Sequence, residues 1–294
     1  MGKVRNAANT VRIGRIGENT WYVRDGVQIV RQRLNNSNFG EGARRTQAQQ
    51  VRRVKWGNVV NVWKGLRAYL QSAFENKKQG QSDYNMFMSL NVDNSDVYLT
   101  RQELQAGAAV PWSYHVTKGS LVPFAQQGVQ TEEGPEHYVT VNFGLENVAN
   151  IQNRQWSAFS NQLVADNTDV KLGDNIAFLR VGYRKGEDNI PRMVVDYKEM
   201  RLNEDDNETI SALGLPLITV DTYGVVMTFD FESDVTLVGG CVIRTRLDGG
   251  LKVSSQRIEI ANDDIGDDWF SNAALQRAIE ELGVDSDVIL APGE

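Results

Sequence analysis

The sequence has 294 residues, of which 41% are hydrophobic and 23% charged, so a packed core is expected and disorder throughout is not. This length suits two ordinary domains or one large β-rich domain with appended elements. The single cysteine, Cys241, excludes an intrachain disulfide and a zinc site built from cysteine pairs, and it is typical of a chain made in a reducing cytoplasm.

Charge is distributed unevenly along the chain, although the net charge is only -7. Residues 1–78 hold 16 Lys and Arg against 4 Asp and Glu, whereas residues 79–294 hold 15 against 34. This asymmetry favours a charged partner for the basic part, either nucleic acid or the acidic surface of another copy. No apolar run approaches the roughly 20 residues that span a bilayer, and no secretory signal pattern is present, so no membrane partner is expected.

The first predicted element is a β-hairpin at Thr20–Leu34. Two runs rich in Val, Ile and aromatic residues flank Asp25-Gly26, a pair that supplies the positive φ angles of a two-residue type I′ turn. A polar loop that contains glycine is predicted after the hairpin, at residues 35–42.

A long amphipathic helix is predicted next. Thr46 and Gln49 form a capping-box pattern at its start, and basic residues with Gly80 mark its end. Apolar side chains recur at steps of three and four, which defines one packing face. That face comprises Trp56, Val59, Val60, Trp63, Leu66, Leu70, Ala73 and Phe74.

A basic cluster lies at the start of this helix, mostly off its apolar face. It comprises Arg44, Arg45, Arg52, Arg53 and Lys55. Positive charge near a helix N-terminus is unfavourable for the helix alone, so the cluster predicts an external acidic partner. Phosphate contacts, with stacking by Trp56 and Tyr69, would make it a nucleic-acid site. The acidic remainder of the chain favours a protein surface as the partner, with nucleic acid as the alternative.

Beyond residue 80, short strands dominate the pattern. Thr100 and Glu103 form a second capping box, and glycine follows at Gly107. Strands or hairpins are predicted within residues 110–124, 137–143, 175–200, 216–231 and 235–260. A short helix at 153–167 would place Trp156, Phe159 and Leu163 on one side. Ser271 is expected to cap a final helix at Asp267–Gly283, with Ala274, Leu275, Ile279 and Leu282 on one side.

This order of elements predicts an α+β fold that is mainly β. An N-terminal hairpin and long helix would precede a β-sandwich or barrel-like body and a C-terminal helix. We expect a basic hairpin–helix assembly module at 1–80, a connecting segment at 81–125 and an acidic β-rich body at 126–294 that includes the C-terminal helix.

Residue types that carry catalysis are sparse. His115 and His137 are isolated in predicted strands, and Cys241 is expected to be a small buried residue. The acidic runs 203–208 and 262–268 lack the spacing of a twelve-residue calcium loop and are interpreted as solvated loops. No phosphate-binding glycine loop and no nucleophile-elbow pattern occurs in the sequence. The sequence therefore predicts no enzymatic activity, and no catalytic, metal or cofactor site.

Three segments resemble a family of uncharacterised proteins from Bacteroidota and from the crAss-like gut phages that infect them. They are "IGRIGENTWYVRDGVQIVR", "RRTQAQQVRRVKWGNVVNVWKGL" and "VYLTRQELQAG…VPWSYHVTKGSL", within roughly the first 120 residues. The shared pattern is a glycine-spaced β lead-in, a Thr-x-x-Gln-x-x-Arg helix start and a Ser-x-Gly-x-Leu segment. In this chain the last segment is Thr117–Leu121, with Thr in place of the usual Ser. The resemblance implies a phage or prophage origin and a role in virion architecture.

The predicted function is therefore that of a non-enzymatic virion structural protein, in the capsid, neck or tail. It would contact copies of itself and other virion proteins, and it would be assembled in the cytoplasm of the bacterial host. Two alternatives stay open. One is a DNA-associated virion protein that uses the basic N-terminal section. The other is a host-surface or glycan-binding module in which Trp112, Trp156 or Tyr183 contacts sugar.

Overall fold

The computed structural model describes residues 2–4, 13–16, 19–24, 27–32, 47–70, 72–130, 137–229, 231–262 and 268–281. Within them strand exceeds helix, about 34% against 24%, which confirms the predicted α+β, mainly β class. The predicted turn at Asp25-Gly26, the loop at 35–42, the capping residue Thr46 and most of the acidic run 262–268 lie outside the described residues.

The N-terminal strands form a four-stranded antiparallel sheet in the order β1-β4-β3-β2. They are β1 (Gly2–Val4), β2 (Gly14–Ile16), β3 (Asn19–Arg24) and β4 (Val27–Gln32). Strands β3 and β4 pair along their whole length, which confirms the hairpin predicted there.

Helix α1 spans Gln47–Leu66, so it ends earlier than the sequence predicts. Ser72 and Asn76 have φ angles of 58° and 53°, which a right-handed helix does not allow. Between them, Phe74 forms a bridge with Lys118 and is buried from a loop rather than from the helix.

The buried stripe of α1 is rotated from the predicted face. Trp56, which was predicted on that face, is 43% exposed, so its assignment to the packing face is wrong. The stripe follows steps of four through Gln50, Val54, Asn58, Val62 and Leu66, all of them buried. Because Gln50 and Asn58 in this stripe are polar, a search for apolar residues at helical spacing does not detect it, and this is the reason for the error.

The other predicted face residues all contact the core. Val59, Leu66, Leu70, Ala73 and Phe74 are buried in it. Val60 and Trp63 pack against it from half-buried positions.

Two short helices follow. Helix α2 (Asp83–Asn91) was not predicted, and Ser82 caps it by accepting a hydrogen bond from the Asn85 N–H. Helix α3 (Arg101–Gln105) has the predicted capping box, with the Thr100 and Glu103 side chains bonded to each other's backbone N–H.

A central antiparallel sheet carries the core, in the order β13-β12-β8-β9. Its strands are β8 (Asn175–Lys185), β9 (Pro191–Arg201), β12 (Val235–Leu247) and β13 (Leu251–Val253), and β15 (Glu259–Ile260) also pairs with β12. Strand β8 is buried on both faces. Leu179 and Val181 point into a core shared with α1 and α2, whereas Ile176 and Phe178 point into a second core.

A second antiparallel sheet packs on the other face of the central sheet through that second core, which gives a two-sheet sandwich. Its strands, in the order β10-β11-β7-β6, are β6 (Ala125–Val129), β7 (Tyr138–Asn142), β10 (Leu217–Val220) and β11 (Gly224–Met227). Helix α4 (Trp156–Asp166) buries Trp156, Phe159 and Leu163 in the same core, as predicted.

The remaining elements close the fold. Strand β5 (His115–Thr117) pairs with β14 (Gln256–Arg257), and a 3₁₀ turn lies at Ile151–Asn153. Helix α5 (Asn272–Glu281) packs on α1, and the Ser271 hydroxyl accepts a hydrogen bond from the Ala274 N–H at 3.2 Å, which confirms the predicted cap. The helix of the predicted assembly module thus shares a core with strands of the predicted body, and the division at 80 and 125 stays a prediction.

Asn58 ties α1 to the chain beside it through a buried polar network. Its Nδ2 donates to the Val110 carbonyl and to the Tyr114 hydroxyl, both at 2.8 Å, and its Oδ1 accepts from the Val110 N–H at 2.9 Å. The Tyr114 hydroxyl also lies 2.8 Å from the Ser95 hydroxyl. Burial raises the pKa of Tyr114, so this hydroxyl stays neutral and available for these bonds.

We expect Asn58→Ala to lower the free energy of unfolding by about 3 kcal/mol, because it leaves several buried polar groups unpaired at about 1–3 kcal/mol each. Asn61→Ala is the matched control. Its half-buried amide donates to the Leu104 and Ala108 carbonyls, and its loss should cost about 1 kcal/mol. Urea unfolding measures both, and equal losses would contradict the role given to the buried network.

Candidate functional site

The predicted basic cluster contacts carboxylates of its own chain. Arg52 Nε lies 3.3 Å from Asp93 Oδ1, and Lys55 Nζ lies 3.3 Å from Asp96 Oδ1. Both aspartates belong to the segment that follows α2. The acidic partner expected for these two cations is therefore present, at least in part, within the chain itself.

The other cluster residues are not gathered into a site. Arg53 is exposed on α1, and Arg44 and Arg45 lie outside the described residues. The Arg52–Asp93 pair is more than half exposed on both sides, so it contributes little stability.

His115 and Cys241 lie on different strands, β5 and β12. Cys241 is buried in the core, as predicted, and burial raises the pKa of its thiol, with a further contribution from Glu259. Burial lowers the pKa of His115, and the neighbouring Arg257 and Lys118 lower it further. Among the described residues, no group of three or more His, Cys, Asp or Glu side chains is placed to hold a metal ion.

Two of the three aromatic residues suggested for sugar contact are buried. Trp156 and Tyr183 lie in the core, so that part of the glycan hypothesis is wrong. Trp112 is half-buried and packs on Phe270, with ring centroids 4.5 Å apart. Packing within the protein therefore accounts for these aromatic residues without a sugar ligand.

A cleft of about 830 Å³ lies between the turn that follows α1 and the end of the central sheet. Its floor is a row of polar residues that pair across three strands, with Asn175 opposite both Arg201 and Thr245. Glu199 lies in the next row and accepts hydrogen bonds from Asn175 Nδ2 at 2.8 Å and from the Tyr197 hydroxyl at 3.1 Å. The cleft exists because α1 ends before it covers this part of the sheet.

The loop at one side of the cleft is fixed by arginines of β12. The guanidinium of Arg246 binds the buried carboxylate of Asp174 through two bonds, at 2.5 and 2.7 Å, and this contact raises the pKa of Arg246. Arg244 binds Asp169 at 2.8 Å. Gly173, with φ of 91°, lets the loop approach Arg201, whose guanidinium would lie 3.3 Å from an added Cβ.

Exposed apolar side chains surround the opening. Leu247 is 83% exposed and lies opposite Leu251, 37% exposed, at the end of the β12–β13 hairpin. Leu172, 39% exposed, lines the same cleft. We refer to these three residues as the leucine rim. This rim was not predicted from the sequence, although a leucine on each side of Asp248-Gly249-Gly250 indicates two apolar side chains at a hairpin end.

Glu75 holds the opposite wall. It accepts hydrogen bonds from the Val253 N–H at 2.5 Å and the Ser120 N–H at 3.1 Å, so it fixes the segment that contains Ser72 and Ala73. Burial alone would raise the pKa of Glu75, but these bonds and the charge of Lys252 outweigh it and leave the pKa below its ordinary value.

Comparison with known proteins adds no relative. No family model matches the chain, and no curated protein or solved structure matches it. In the part of the chain that the structure describes, no helix has the length and apolar character needed to cross a membrane. The resemblance to the gut-phage family rests on its three sequence segments and stays a hypothesis.

We expect Glu75→Gln to lower the free energy of unfolding by about 1 kcal/mol at pH 7, because the charged acceptor is lost. A lowered folded-state pKa stabilises the protein above the unfolded pKa of about 4.3, and this stabilisation disappears as pH falls through the folded pKa. The difference in the free energy of unfolding between the wild-type protein and Glu75→Gln should therefore become smaller below about pH 4. Urea unfolding across a pH series measures it, with Glu187→Gln in the exposed β8–β9 turn as the control. A difference that is constant with pH would contradict the assignment.

Proposed function

We propose that this chain is a non-enzymatic virion structural protein, a component of the capsid, neck or tail. It acts through contacts with copies of itself and with other virion proteins, and it is assembled in the cytoplasm of the bacterial host. The observation that carries this proposal is the leucine rim, supported by the sequence resemblance to gut-phage proteins.

Single exposed leucines are ordinary on protein surfaces, but several around one cleft are typical of an interaction site. Leu247 projects from a hairpin that the ion pair of Asp248 and Lys252 closes at 2.9 Å. Lys171 and Arg201 border the apolar side chains with charge. An apolar centre with a polar border is the usual composition of a protein–protein interface.

The charge pattern on α1 favours a protein partner over DNA. Asp93 and Asp96 lie against Arg52 and Lys55, and these carboxylates would repel phosphate at the place where the cations would bind it. An arrangement of both signs suits contact with another protein surface of mixed charge.

Quantitative mass spectrometry of purified particles tests the proposal. The chain should be present at a fixed copy number per particle. Leu247→Asp should reduce incorporation by roughly tenfold or more, because it places a charge in an apolar contact. Val122→Asp is the matched control, since Val122 is 59% exposed and does not line the cleft. Absence of the chain from particles, or unchanged incorporation of Leu247→Asp, would refute the proposal.

A further inference from the structure

The two edges of the central sheet differ. At one edge, the short strand β13 is covered: the Val253 carbonyl accepts from the Leu121 N–H at 3.1 Å, and the Val253 N–H donates to Glu75. At the other edge, β9 runs for 11 residues, in register with β8 from Arg201 opposite Asn175 to Pro191 opposite Lys185. The long edge has no bulge that would twist it away from a partner.

The backbone groups of β9 that point outward can be identified from the pairing phase. The Gly186 N–H bonds to the Ile190 carbonyl across the turn, and bonded pairs alternate along an antiparallel ladder. The even-numbered residues of β9 therefore bond to β8, and the odd-numbered ones face away from it. Both ends of the outer edge are occupied, since the Pro191 carbonyl accepts from the Ala109 N–H and the Arg201 carbonyl accepts from Trp156 Nε1, each at 2.8 Å.

Between these ends the outer edge is unpaired. The N–H and C=O groups of Met193, Val195, Tyr197 and Glu199 have no hydrogen-bond partner among the residues that the structure describes. Glu199 is exposed and the other three residues are half-buried, so the edge is open to solvent. An unpaired row of this length is a template for an added strand.

We propose that a second copy of this chain adds to the edge, by antiparallel pairing of β9 with β9 around a two-fold axis at Tyr197. The inference rests on the proposed assembly role and deepens it, because it names one contact between copies. A contact of this kind uses the same surface on both subunits, so it needs a strand that is complementary to itself.

The side chains of β9 meet that requirement when the axis lies at Tyr197. With the axis at Tyr197, Asp196 of each copy lies opposite Lys198 of the other, and Val194 lies opposite Met200. An axis one residue earlier would place Asp196 opposite Asp196. An axis two residues earlier would place Arg192 opposite Lys198. Both alternatives oppose like charges, which is destabilising.

The backbone pairing is consistent with this register. Tyr197 would bond to Tyr197 of the second copy, and Val195 to Glu199, so the unpaired groups of these three residues satisfy one another. Asp196 already accepts a hydrogen bond from Arg180 Nε at 2.7 Å, but its side chain stays 32% exposed and can meet a cation from a second copy.

Cysteine cross-linking tests the register directly. In the proposed dimer the two Tyr197 Cα atoms are about 5.5 Å apart, within disulfide range, whereas the two Glu199 Cα atoms are about 14 Å apart. Tyr197→Cys should therefore form a covalent dimer on mild oxidation, and Glu199→Cys should not. The native Cys241 is buried and does not compete. Equal cross-linking of both variants, or of neither, would overturn the proposed register.

Sedimentation of the unmodified chain and two further variants tests the contact without a new cysteine. The wild-type chain should be a dimer that dissociates on dilution. Val195→Pro removes an outward N–H and part of a half-buried apolar side chain, and it should abolish the dimer while the chain stays folded with a lower melting temperature. Lys198→Glu should raise the dimer Kd about tenfold, and the exposed control Lys78→Glu should not.

The β9 proposal would be refuted if the wild-type chain stayed monomeric up to about 100 µM, because its dimer affinity would then be weaker than this contact requires. That result leaves the particle experiment unaffected, since Leu247→Asp does not alter β9. Conversely, a β9 dimer in solution together with absence of the chain from particles would refute the proposed function alone. The two failures are therefore distinguishable.

Discussion

The position of α1 over the central sheet depends on the buried hydrogen bonds of Asn58. This residue lies in the middle of the stripe that the helix buries, and its amide satisfies both the N–H and the carbonyl of Val110. A buried amide stabilises a fold only when its partners are in place, because an unpaired one costs more than a lost apolar contact. The network therefore specifies one rotation of α1, and a rotation that buried Trp56 would leave these groups unsatisfied.

The location of the cleft follows from that placement. Helix α1 covers the sheet as far as Leu66, and the chain then turns through Ser72 towards Lys118. The sheet continues past the end of α1. On the face that α1 covers, the sheet residues are apolar under the helix and polar beyond its end. Glu199 and Arg201 mark this change at the end of β9, where the same face carries Met193 and Val195 nearer the helix.

Local signals made much of the fold predictable. The capping box of Thr100 and Glu103, the apolar run of β8 and the helical spacing in α4 each depend on residues close in the chain. The buried stripe of α1 was not predictable in this way. Asn58 is buried because Val110 and Tyr114, more than fifty residues away, provide its partners, and a hydrophobic pattern assigns such a residue to the surface.

The candidate site was missed for a related reason. The basic cluster was predicted as a site because its charges are adjacent in sequence. In the structure, Asp93 and Asp96 of the segment after α2 form ion pairs with two of its members. The leucine rim joins a hairpin end to the loop before β8, and no periodicity links the two. Likewise, the sequence of β9 is that of an ordinary half-buried strand. Only the sheet order shows that it lies at an edge and that its outer groups are unpaired.

The two proposed contacts differ in what they would build. Pairing of β9 around a two-fold axis uses the same surface on both copies and is complete with two subunits. The leucine rim lies on the β12–β13 hairpin and the loop before β8 rather than on β9, so a different surface would fill it. A protein with one closed contact and one open contact can extend an assembly in a defined direction, which a protein with only the first cannot do. On this view β9 would fix the dimer, and the leucine rim would determine what the dimer joins.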